Sequence, residues 1–277
     1  TYGLLRLANG IEVLLVASSD DRKQKAACAC SVQVGSFSDP RGQCEGLAHY
    51  CEHMLFLGSR KYPGEAMFEE FLSENGGYSN AYTECEYTCY YFEVNRKALH
   101  PALDMLAQLL HEPLFTEDSS ARELEAIESE FQKKKHSDGT RTETLFATMA
   151  RSDHPWTLFG WGNLQSLRDE PASKGVSLHS QLRAFYEEHY KPSRMRVCVF
   201  GVESLDALQE AVVQSFSPIA ACPGVGDLDF AACGLPLAAA ATISATAATR
   251  RYSTWRSPSR SWGCSSGPRW PAWCSST

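Results

Sequence analysis

Leu47-Ala48-His49-Tyr50-Cys51-Glu52-His53-Met54-Leu55-Phe56-Leu57-Gly58 is the stretch that decides how this chain folds and what it can bind. Leu47, Cys51, Met54 and Leu55 recur at three- and four-residue spacings. That period predicts a helix with one apolar stripe, closed by Gly58. On such a helix His49 and His53 stand one turn apart on one face, so both imidazoles can converge on a single ion. Glu52 lies about 100° round from His53, where it can flank the ion without ligating it. A catalytic zinc takes three protein ligands and keeps one position open, and a carboxylate beside that position can accept a proton from water. His-x-x-Glu-His is the HExxH zinc motif in reverse order.

The third ligand has to come from elsewhere. An acidic helix opening at Ser120 offers Glu123, Glu125, Glu128 and Glu130, with Leu124, Ile127 and Phe131 as its apolar side. Glu123 and Glu130 are seven apart and share a face. Glu123 has two competing roles: capping-box partner of Ser120, or a carboxylate that orients a ligating histidine. Composition does not choose among the four. Lys133-Lys134-Lys135-His136 reads as the solvated, dipole-matched end of this helix.

Working outward, residues 3–17 alternate around Asn9-Gly10 and predict a hairpin. Residues 26–36 predict a strand and 65–74 a short helix stopped by Asn75-Gly76-Gly77. A single strand is expected over about 78–94. Helices follow at 97–111, 178–189 and 204–216, with a strand at 195–200. Strands and helices alternate without regular βαβ spacing, so the fold class is α+β: a two-layer sandwich of a largely antiparallel sheet and packing helices.

The 277 residues are 43% hydrophobic and 21% charged, enough for a packed core, and the net charge of -7 excludes a nucleic-acid binder acting through overall charge. No run of about 18 apolar residues predicts a membrane span. The eleven cysteines follow no repeating CxxC spacing, and Cys28, Cys30 and Cys51 fall at core positions, as expected of free thiols in a reducing compartment. A cytoplasmic location is the expectation. A mitochondrial or other organellar one is left open, because the chain starts at Thr1 and the beginning of the domain reads as truncated. His100, His111 and His189 have no paired ligand spacing and read as ordinary polar residues, and His154-Pro155-Trp156 as a turn.

Every acidic residue lies at or before Asp229, while Arg250, Arg251, Arg256, Arg260, Arg269 and four of the six Trp come after it. Binary pattern and helix caps both stop near residue 220. The expected organisation is a metal-binding domain over 1–220 and a non-homologous, disordered tail over 221–277. Pro, Ser and Gly interruptions and the absence of Lys argue against that tail as an RNA- or membrane-binding arm.

A dense set of short matches accompanies the histidine motif. They include Asp39-Pro40, Lys61-Tyr62-Pro63, Ser79-Asn80-Ala81, Tyr90-Tyr91-Phe92, Pro113-Leu114-Phe115, Ser129-Glu130, Phe159-Gly160 and Gly162-Asn163. Through them most of residues 2–220 resembles the N-terminal catalytic domain of the pitrilysin/insulysin family of zinc metallopeptidases, nearest its insulysin and nardilysin branch. The resemblance implies one Zn2+ held by His49, His53 and Glu130, Glu52 as general base, and Glu123 as a supporting carboxylate. It also implies that Asn80, Ala81 and Tyr82 form the edge strand on which an extended peptide substrate lies. Members enclose peptides in a chamber of two halves, so further domains or a second subunit are implied as partners. Two departures stand out: Lys134 where the family usually has Asn, and Thr140 where it has an aromatic residue. No counterpart of the substrate-reaching Arg and Tyr of later domains occurs in 221–277. The implied function is a zinc-dependent endopeptidase acting on oligopeptides or small proteins. The alternative is a truncated, catalytically inactive domain that binds metal or a second subunit.

Overall fold

The computed structural model describes residues 1–20 and 22–220; the expected tail lies outside the described residues. The chain opens with β1 (Tyr2–Arg6) and β2 (Glu12–Ala17), an antiparallel hairpin in which Leu4 faces Leu14. β3 (Lys25–Val32) follows, then α1 (Leu47–Leu55), α2 (Met67–Glu74), β4 (Tyr78–Thr83) and β5 (Thr88–Asn95). Three helices come next: α3 (Leu99–His111), α4 (Glu117–Lys134) and α5 (Asp138–Thr148). A π-helical turn, Gln165–Asp169, runs into the short α6 (Glu170–Ser173), and α7 (Leu178–His189), β6 (Met195–Gly201) and α8 (Leu205–Phe216) complete the order.

The six strands form one sheet in the order β1-β2-β6-β3-β5-β4. Every pairing is antiparallel except β2 with β6, where Glu12 lies opposite Arg196 and Ala17 opposite Gly201. This is the α+β arrangement expected. Because side chains alternate along a strand, Val13, Leu15, Cys28, Cys30, Tyr90, Phe92, Val197 and Val199 all enter one core with the helices. In α3, Leu99, Leu103, Leu106 and Leu110 recur at helical spacing and are all buried, each contributing about 1.5–3 kcal/mol. On the opposite side of the sheet, Tyr2 and Leu4 are 70% and 84% exposed, and Tyr78 and Tyr82 are exposed too. Cys28, Cys30 and Cys51 are buried free thiols, and burial pushes each of them up in pKa.

Two expectations need correction, and one helix had none. The strand expected over 78–94 is two strands, because Glu84-Cys85-Glu86-Tyr87 turns and the Glu84 amide bonds back to the Tyr87 carbonyl at 2.8 Å. The helix expected from Ser120 starts a turn earlier: Thr116 is its cap, accepting from the Ser119 amide at 3.4 Å. Ser120 is therefore inside α4, and the Ser120–Glu123 capping box does not form; instead Ser120 Oγ accepts from the buried Tyr50 hydroxyl at 2.6 Å, joining α4 to α1. Finally, α5 had no sequence-based expectation.

Candidate metal centre

The N-terminus of α1 leaves amide donors that its own cap, Gly46, has no side chain to satisfy. Asp39 takes that role from seven residues upstream. Its Oδ2 accepts from the Gly46 amide at 2.7 Å and its Oδ1 from the Ala48 amide at 2.8 Å. Burial pushes the Asp39 carboxyl up in pKa, and the two amides oppose that by favouring the anion. The helix that carries the motif is thus anchored at its start by a buried acceptor.

One turn apart on α1, the two imidazoles converge as the sequence predicts. His49 Nε2 and His53 Nε2 are 3.3 Å apart, and Glu130 Oε2 of α4 lies 3.6 Å from the first and 3.7 Å from the second. All three ligand atoms fall within 4.8 Å of one another. Glu123 also reaches the site, through the other nitrogen: its Oε2 accepts from His53 Nδ1 at 3.0 Å. His49 Nδ1 donates to the Trp161 carbonyl at 2.7 Å.

Those outer partners decide the tautomers. A carbonyl and a carboxylate accept only, so both Nδ1 atoms carry hydrogen and both neutral rings turn a bare Nε2 inward. Two imidazole lone pairs and a carboxylate oxygen then face one point. That arrangement is repulsive without a cation and fits a divalent metal of zinc's type. Burial opposes a charge on His53, but hydrogen bonds to Glu123 and Glu130 raise its pKa to about 9. Burial, and then the charge of His53 beside it, lowers His49, and the bond to His53 lowers Glu130. Glu123→Gln leaves an acceptor at hydrogen-bond distance but removes its charge. It is expected to weaken metal binding about 10–100-fold, measured by competition with a chromophoric chelator.

Glu52 is buried at 7% exposure, on the wall of the same cavity, which has a volume of about 870 Å3. Burial raises its carboxyl above the usual range, against a hydrogen bond from the Thr83 hydroxyl that favours the anion. Asn80, Ala81 and Tyr82 lie on β4, an edge of the sheet, and line this cavity too. The Ala81 amide donates to Asn80 Oδ1 at 2.9 Å.

The structure therefore brings His49, His53, Glu130, Glu123 and Glu52 together, with β4 alongside. It adds Thr83, the Trp161 carbonyl and Asp39, none of which had been singled out in the sequence as a site group. Asp39 had appeared only within a matched dipeptide; a buried cap seven residues from its helix has no spacing rule to betray it. Lys134 places its Nζ 6.0 Å over the Trp161 ring, at the outer limit of a cation–π contact. His189 is buried and accepts from Arg194 Nη1 at 2.8 Å, the ordinary polar role expected of it. His154 caps the short turn Pro155–Thr157.

A fold with this inward-facing group is that of a peptidase class, and comparison with known proteins identifies it. Residues 15–155 match the family profile described as Insulinase (Peptidase family M16), and residues 178–229 match the one described as Peptidase M16 inactive domain. The chain belongs to the insulinase family, peptidase family M16. It is 45% identical over 218 residues to "Insulin-degrading enzyme-like 1, peroxisomal" of Arabidopsis thaliana, covering 79% of this chain and 22% of that protein. It is 45% identical over 197 residues to human nardilysin, covering 71% of this chain and 17% of the relative. The crystal structure of pitrilysin superposes with a TM-score of 0.75 at 34% identity, over 79% of this chain and 23% of that one. The chain thus spans about a fifth of the length of the curated relatives it matches. Among the described residues no helix is long and apolar enough to cross a membrane.

Proposed function

We propose that residues 1–220 form the catalytic, zinc-binding domain of an endopeptidase that hydrolyses peptide bonds in oligopeptides or small proteins. The observation that carries this reading is the convergence of His49 Nε2, His53 Nε2 and Glu130 Oε2 in a cavity that also holds the buried Glu52. His49, His53 and Glu130 would hold the zinc, which supplies Lewis-acid polarisation of a carbonyl and acidification of water. Glu123 and the Trp161 carbonyl keep both rings in the ligating tautomer. Glu52 accepts the proton of the attacking water and returns it to the leaving amine, a cycle suited to a carboxyl already raised by burial. The Thr83 hydroxyl holds Glu52 Oε2 in place, which fixes the direction in which the other oxygen works. Along β4 a peptide adds as a further strand, its main chain bonding to Asn80, Ala81 and Tyr82. Further domains or a second subunit would close the cavity.

One fact favours a second reading, an inactive domain that binds metal or a partner subunit: residues 178–229 match a profile described as inactive. Metal analysis paired with hydrolysis of a fluorescence-quenched peptide separates the two. One zinc per chain with turnover that a chelator abolishes and zinc restores is the expected result. One zinc without turnover would support the second reading.

A further inference from the structure

The segment from Phe159 to Ser166 has no catalytic side chain, yet it touches both helices that carry the metal-facing groups. At Gly46, where φ is +94°, a Cβ would lie 2.2 Å from Gly162 Cα and 2.5 Å from Gly162 N. At Gly162, where φ is +72°, a Cβ would meet Leu167 Cδ1 at 2.8 Å. The two backbones are therefore in contact at the point where α1 begins. The residue between this contact and the cavity is Trp161, whose carbonyl holds His49 Nδ1 at 2.7 Å. Flanking bonds fasten the segment to the approach to α1: the Phe159 amide donates to Glu45 Oε2 at 2.9 Å, and Ser166 Oγ donates to the Glu45 carbonyl at 2.8 Å. Asn163 Oδ1 and the Ser166 amide close it internally at 2.8 Å.

A separate bond reaches α4. The Leu164 amide donates to Glu128 Oε2 at 3.0 Å, two residues before Glu130. Tyr50–Ser120 and His53–Glu123 tie the earlier part of α4 to α1, and this bond ties the later part through the strap.

We infer that the strap Phe159–Ser166 is a positioning element of the metal centre, which sets the Nδ1–H tautomer of His49 and the spacing between the two ligand-bearing helices. The inference rests on the metal-binding reading proposed above. The chemistry needs both functions. His49 ligates through Nε2 only while Nδ1 keeps its hydrogen, and a backbone carbonyl enforces that tautomer at every pH where the ring is neutral. A side chain at residue 162 would have to adopt φ +72° while meeting Leu167 Cδ1 at 2.8 Å and Gly46 Cα at 3.3 Å, which strains the peptide that presents the Trp161 carbonyl. A displacement of about 1 Å there breaks a 2.7 Å hydrogen bond.

The test uses Gly162→Ala and Glu128→Ala in the full chain, with Leu208→Ala, in the core of α8, as a control for general destabilisation. Zinc affinity is measured by chelator competition, and the imidazole Nδ1–H signals of His49 and His53 by 1H–15N NMR of the metal-free chain. Gly162→Ala is expected to weaken zinc binding roughly 10–100-fold. It should also abolish the His49 Nδ1–H signal while that of His53 persists. Glu128→Ala should produce the same selective loss at His49 with a smaller, severalfold drop in affinity. Leu208→Ala should lower the melting temperature yet leave zinc affinity within twofold. If Gly162→Ala fails to fold, Glu128→Ala decides. Unchanged zinc affinity with both imidazole signals intact overturns the inference, as does equal loss of both signals. If the unaltered chain takes up no zinc, the metal-binding reading fails, and the His49 signal still tests the strap by itself.

Discussion

Glu52→Gln is expected to reduce peptide hydrolysis by about 10²–10⁴-fold while bound zinc stays at one per chain. The substitution preserves volume and the hydrogen bond from Thr83, so the wall of the cavity should hold its shape. What it removes is a group that can take up and release a proton, its carboxyl raised above the usual range by burial. Glu52 points into the cavity but is not among the three converging ligand atoms, which is why metal content and turnover should part. Initial rates on a quenched peptide, with zinc measured on the same samples, check it. Loss of zinc in parallel with activity would make Glu52 a ligand and remove the proposed division of roles.

Glu130→Ala is expected to do the reverse and empty the site. The remaining pair, His49 and His53, sits on one helical turn, and nothing on α1 supplies a third donor at the same point. The affinity loss should exceed the about 10–100-fold typical of deleting an outer partner such as Glu123. Zinc content after gel filtration should fall from one per chain towards zero, with hydrolysis falling alongside. Retention of tight zinc binding would mean that another carboxylate of α4 completes the set.

The pair of histidines was legible because period is a local property: a four-residue spacing on a helix fixes a shared face wherever the helix packs. Glu130 was not selectable from composition, since the face α4 presents depends on its tertiary docking and not on its start alone. The resemblance to a known family singled it out, and α4 places its Oε2 3.6 Å from His49 Nε2 and 3.7 Å from His53 Nε2. Glu123 shows how a local rule can be overridden. Ser120 and Glu123 have capping-box spacing, but Thr116 claims the cap, and each then reaches across to α1. The Trp161 carbonyl was invisible for a different reason, because a backbone acceptor has no letter of its own. α5 escaped because it has no buried residue, and Leu145 and Phe146 are 61% and 53% exposed, so it lacks the one-sided burial that marks a packed helix. The β4–β5 turn escaped because Glu84-Cys85-Glu86-Tyr87 contains neither Gly nor Pro.

The placement of β6 between β2 and β3 has a kinetic side. Glu12 finds its neighbour Arg196 only about 180 residues later in the chain, a delay of roughly ten to forty seconds at ordinary rates of synthesis. Until then the N-terminal hairpin and the three-stranded remainder are separate pieces, each with an unpaired margin open to aggregation. Both histidines and Glu130 emerge well before that junction closes, so a nascent chain holds every metal-binding group while its sheet is still in two parts.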